Sequence, residues 1–148
     1  MTRREAREAV FGLLFETEFR VDEAIDNIYK TSTENREIHE DPYIREVYFG
    51  TLDKLGEIDA TIEKHAKGWT INRMSRVSRT VLRLAVYEML YMHDRVPVRV
   101  SINEAIELSK KFDSEKARGF INGILNAVKN SFSTTDSACE AEENEEQN

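Results

Sequence analysis

Between Val96 and Val128 the chain reads VPVRVSINEAIELSKKFDSEKARGFINGILNAV, and this stretch constrains the fold more than any other. Pro97 lacks a backbone donor and pushes Val96 toward an extended conformation, so a preceding helix must stop near here. Ser101 and Glu104 stand at the S-x-x-E spacing of a capping box, which predicts a helix starting at Ser101. From that cap Ile102, Ala105, Ile106 and Ser109 fall at helical spacing, and the helix is expected to end near Phe112. Asp113 or Ser114 can cap the next helix. Its apolar residues Ala117, Phe120, Ile121, Ile124, Leu125 and Val128 recur every three or four positions. Gly119 and Gly123 lie inside it, each costing about 1 kcal/mol relative to alanine. Close packing of a neighbouring helix is expected to offset the loss at Gly123. At Gly119 the choice between packing and a backbone open to a partner stays undecided.

The same periodicity runs through the rest of the chain. Thr2 and Glu5 form a capping-box pair ahead of a stripe of Ala6, Val10, Phe11, Leu13 and Leu14. A second helix is expected over about 22–32, entered at Asp22. Asp41 caps a third, with Pro42 suited to its first turn, and its stripe from Ile44 to Ile62 predicts one long helix to about Lys67, ended by Gly68. Asn72 or Ser75 can start a further helix running to about His93. Only two prolines and six glycines punctuate 148 residues, which also favours helices. The expected fold is therefore all-α. Residues 1–133 form one helical domain with halves at about 1–68 and 69–133.

Charge is unevenly distributed. The net charge is −7, from 28 acids against 21 bases, but residues 134–148 hold six of the acids and no base. That segment has too few apolar residues to offset ordering entropy and is expected to be a disordered acidic tail. The remainder is nearly neutral, with basic patches. Arg3, Arg4 and Arg7 crowd the first two turns of the first helix, where the helix dipole repels cations. An external anion would relieve that conflict, and so would Glu5 and Glu8; charge alone leaves the two readings even. Arg73, Arg76, Arg79 and Arg83 make a second basic stripe, read as a solvated face with Arg83 paired internally.

Some chemistries find no support. His39, His65 and His93 are far apart with no ligand at metal spacing, so neither a metal site nor a cofactor is expected. No phosphate loop or nucleophile signature appears, which points to a binding protein without catalytic residues. No run of about 18 apolar residues suggests a membrane span, and the lone Cys139 suits a reducing cytoplasm.

INEAIELSKKF followed by FINGIL resembles the signature of the NusB family of bacterial transcription antitermination factors. The resemblance extends back through LRLAVYEML (Leu82–Leu90) to RREAR (Arg3–Arg7) and AVFGLLFE, covering most of residues 3–130. It implies about seven helices in two packed bundles, and RNA binding rather than catalysis. The implied ligand is the boxA element of nascent ribosomal RNA leaders, bound together with NusE, a small-subunit ribosomal protein. RNA polymerase and other Nus factors are the further implied partners, and the sequence leaves monomer and homodimer open. Position by position, the implied RNA surface comprises Arg3, Arg4, Arg7, Phe15, Lys110, Phe112, Arg118, Phe120 and Asn122. The basic residues would neutralise phosphates, Phe112 and Phe120 would stack on bases, and Asn122 would hydrogen-bond. On periodicity alone Phe120 belongs to the core side of its helix. Ser78 departs from the glutamate common in the family, and Lys116, Ala117 and Gly119 also depart from frequent residues. The alternative is a helical protein-interaction module without RNA binding.

Overall fold

A computed structural model describes residues 1–135. Among them are seven α-helices: α1 (Arg3–Thr17), α2 (Ile25–Asn35), α3 (Pro42–Asp53), α4 (Leu55–His65), α5 (Arg76–Tyr91), α6 (Val98–Phe112) and α7 (Glu115–Thr135), with a 3₁₀ turn at Ile71–Arg73. The expected acidic tail lies outside the described residues from Asp136 onward, and Thr134 and Thr135 belong to α7.

The helix starts follow local chemistry. Thr2 accepts from the Glu5 amide at 3.1 Å, Asp41 from Tyr43 at 2.8 Å and Ser75 from Ser78 at 3.0 Å. Ser114 accepts from the Ala117 amide at 3.2 Å and so caps α7. Each bond satisfies a donor that the first helical turn leaves free.

Three expectations are corrected. The long third helix breaks at Lys54 into α3 and α4, because the two segments bury against different neighbours: α3 against α1 and α5, α4 against α5 and α7. The helix expected from Ser101 begins one turn earlier, with Pro97 as its N-cap, and Ser101 is buried within it. A Cβ at Gly123 would meet no atom within 4 Å, and the same holds at Gly119, so helix packing does not account for either glycine.

The hub is α5. It packs against α1, α3, α4, α6 and α7, and Thr80, Val81, Leu82, Leu84, Ala85, Val86, Tyr87, Glu88 and Met89 are all buried. A helix apolar on nearly every side belongs at the centre of a bundle. Side chains from α1–α3 and from α4–α7 meet around it in one continuous hydrophobic cluster.

Candidate nucleic-acid interface

Among the described residues one acid is buried in the apolar core. Glu88 of α5 is 0% exposed, and its carboxylate collects donors from three other helices. Arg7 of α1 donates through Nε to Oε2 at 2.8 Å and through a terminal nitrogen to Oε1 at 3.1 Å. Ser101 of α6 donates to Oε1 at 2.8 Å, and the Tyr43 hydroxyl of α3 donates to Oε2. Burial, and then the Glu88 charge, pushes the Tyr43 hydroxyl far above the usual phenol range. A buried carboxylate needs such a shell, because a charge taken out of water without partners costs several kcal/mol. This explains Ser101: its hydroxyl serves Glu88 rather than a helix cap.

The knot decides where α1 points its cations. Arg7 is only 4% exposed and its guanidinium is committed to Glu88, so it is not free to pair elsewhere, and the expectation that it meets phosphate is revised. Arg3 is exposed, with its guanidinium carbon 4.3 Å from the Tyr43 ring centroid. Arg4 is exposed and makes a bidentate pair with Glu104 of α6 at 3.1 Å. Beside it Lys111 reaches Glu8 at 2.9 Å and Lys110 reaches Glu107 at 3.2 Å. A groove of about 280 Å³ runs between α1 and α6, lined by these ion-paired residues. Surface pairs of this kind contribute at most about 1 kcal/mol each, so a phosphate can exchange with their carboxylates.

Aromatic rings continue from the end of this groove. Phe112, 41% exposed, stacks on Phe11 with centroids 4.8 Å apart and planes inclined by 17°. Phe11 stacks on half-buried Phe15 at 6.0 Å, and Phe15 meets Phe19 edge-on at 5.2 Å. Phe11 and Phe15 share one face of α1, and Phe19 continues the row from the turn just past its C-cap, Glu18. The Arg76 guanidinium lies 4.3 Å from the Phe19 centroid.

In the second basic stripe Arg73 and Arg76 are exposed, while Arg79 and Arg83 are partly buried in ion pairs. Glu18 binds Arg79 at 2.7 Å and Arg83 at 2.6 Å, with Arg76 more distant at 3.8 Å. Arg83 also pairs with Asp59 of α4 at 2.8 Å, as the expected internal pairing requires. Ser78 is buried and donates to Asp113.

The three candidates on α7 do not form one surface. Arg118 and Asn122 are one turn apart, but Phe120 is rotated about 200° from Arg118. Phe120 meets Trp69 edge-on at 5.5 Å, and Trp69 is 48% exposed. Arg118 lies 3.6 Å from Glu115. Asn122 is exposed and accepts from the Asn126 amide at 2.9 Å. The structure thus brings together Arg4, Phe15, Lys110 and Phe112 along α1 and α6, leaves Arg3 exposed beside Tyr43 of α3, and sets Phe120 apart with Trp69.

Sequence reasoning missed Glu88 as a hub and the continuity of the phenylalanine row. Both had signals. A single acid inside LRLAVYEML must find donors, and phenylalanines at 11, 15 and 19 fall on one helical face. Among the described residues no cluster of His, Cys, Asp and Glu could hold a metal ion, and no helix is long and apolar enough to cross a membrane.

The model of the NusB family matches residues 4–130. The chain is 45% identical over 134 residues to a transcription antitermination protein NusB of Natranaerobius thermophilus, covering 88% of this chain and 96% of that one. It is 40% identical over 132 residues to the NusB of Bacillus subtilis, covering 87% and 95%. Among solved structures it resembles NusB of T. maritima, with TM-score 0.75 and 38% identity over 86% of this chain and 90% of that one. It also resembles a crystal structure of antitermination factors NusB and NusE with double-stranded RNA, with TM-score 0.77 and 30% identity over 87% and 96%. With a family match spanning the helical body and relatives alike over nearly their whole length, this chain belongs to the NusB family.

Proposed function

We propose that this protein is an RNA-binding transcription antitermination factor that, together with NusE, binds the boxA element of nascent ribosomal RNA leaders. The complex joins RNA polymerase and other Nus factors in the cytoplasm. The observation that carries this reading is the α1–α6 face: exposed Phe112 at the end of a groove flanked by Arg4, Lys110 and Lys111. A ring beside surface cations suits a single strand, in which bases stack while phosphates pass the positive groups. The solved relative bound to NusE and RNA is similar over 87% of this chain, which supports the same partners here.

Mechanistically, Arg7 and Glu88 fix α1 against α5, and α1 displays Arg4 beside the α6 lysines. An arriving strand takes these cations from Glu104, Glu107 and Glu8 and places a base on the open face of Phe112. The test is binding of a boxA RNA and a scrambled control, with and without NusE, across a salt series. The reading requires a boxA preference that strengthens with NusE. Replacing Arg3 and Arg4 by alanine should then flatten the log–log salt slope by about 0.7 per lost phosphate contact. One feature favours a second reading, a protein-interaction module: Arg4, Lys110 and Lys111 are already paired with acids. RNA affinity untouched by the double substitution would favour that reading.

A further inference from the structure

The row of rings along α1 extends beyond the surface used above, and its far end repeats the chemistry of its near end. The near end is Phe112, exposed on one face, stacked on Phe11 by the other, and beside the Lys111 ammonium at 5.6 Å. The far end is Phe19, 55% exposed, with the Arg76 guanidinium 4.3 Å from its centroid. Of the three arginines around Glu18, Arg76 is held most loosely, at 3.8 Å against 2.7 and 2.6 Å, and its side chain is half exposed. Between the two ends Phe11 is buried and Phe15 half-buried, so the middle of the row acts as a rigid spacer.

An exposed ring carrying a cation gains little from the core. It matches a single-stranded nucleic acid, which alternates flat bases with phosphates, and a guanidinium can both stack on a base and donate to phosphate. Resting on the RNA reading above, we propose that Phe19 and Arg76 form a second stacking subsite. It takes an unpaired base of the same RNA strand that lies against Phe112. The two subsites lie at opposite ends of one ring row, so occupying both requires a minimum strand length.

The experiment is fluorescence anisotropy with boxA-containing single strands lengthened one nucleotide at a time, using the full chain with NusE. Wild-type affinity should rise in a step when the strand reaches the second subsite. F19A and R76Q should each remove that step, a loss of about fivefold or more, while the shortest strand that binds keeps its wild-type affinity. F19Y, which retains the ring, should restore the step. The proposal is overturned if wild type shows no step, if both variants keep it, or if they weaken every length alike. Loss of NusE affinity with unchanged RNA binding would also overturn it and make the pair a protein contact. Failure of the wild type to bind any strand would instead remove the RNA reading on which the proposal rests.

Discussion

Glu88→Gln is the substitution that tests the architecture most directly. The carboxylate is 0% exposed and accepts two bonds from Arg7, one from Ser101 and one from Tyr43. Glutamine keeps the shape but removes the charge, and it turns an –NH₂ donor toward groups that are themselves donors. The Arg7 guanidinium is then left buried without a counter-charge. Breaking a buried pair from one side costs about 3–5 kcal/mol. For a chain of this length that corresponds to a fall in Tm of about 6–20 °C. Urea titration and thermal melting followed by circular dichroism give the measurement, with E88M, R7M and the R7M/E88M double variant making a separate cycle. The double variant, which removes both charges, should lose less than E88Q alone. A loss under about 1 kcal/mol for E88Q would refute the reasoning. So would an R7M variant of full stability with weakened RNA binding, since Arg7 would then be acting at the surface.

Three further outcomes are expected. Thr51 is fully buried and its hydroxyl has no hydrogen-bond partner among the described residues, so T51V should raise stability by about 1 kcal/mol, read as a higher urea midpoint. Burial, and then Glu88, raises the Tyr43 hydroxyl, while burial and then Glu57 pushes Tyr91 up to about 12. Their stabilising contribution is therefore complete below the unfolded value near pH 10 and is lost as pH rises through the folded values. Urea midpoints should fall from about pH 10 upward, and a Y43F/Y91F variant should fall less steeply. Finally, E107Q frees Lys110 from its acid partner and should tighten RNA binding at low salt by about two- to fivefold, an effect that fades as salt is added.

What could be read in advance was whatever rests on neighbours in the chain. Asp41 with Pro42, Ser75 and Thr2 act as local chemistry says they should, because a cap and the amide it serves are two or three residues apart. The break at Lys54 escaped because Thr51 and Ile58 are seven residues apart, in phase for one continuous helix whether or not it bends. Ser101 was misplaced because its local pattern is a valid cap. Its actual acceptor, Glu88, is thirteen residues away on another helix. Of the site residues, Arg4 and Phe112 are at the surface as their types suggest. Arg7 is not, and its spacing to Phe11 and Leu14 already set it on the buried stripe of α1. Gly123 of α7 shows the opposite failure, since its helix offers open space where packing was expected.

The central position of α5 also bears on how the chain is made. Synthesis proceeds from the N-terminus at about 5–20 residues per second. The helices α1 to α3 are complete long before Tyr91, yet α1 and α3 bury their apolar faces partly on α5. Arg7, carried by the first helix to emerge, has no counter-charge until Glu88 follows it. The N-terminal half must therefore wait on the ribosome with an unfinished core, and a fragment ending before α5 is expected to aggregate rather than fold. Nor is α5 the last piece, since α6 and α7 cover its other side and Ser101 of α6 completes the shell of Glu88.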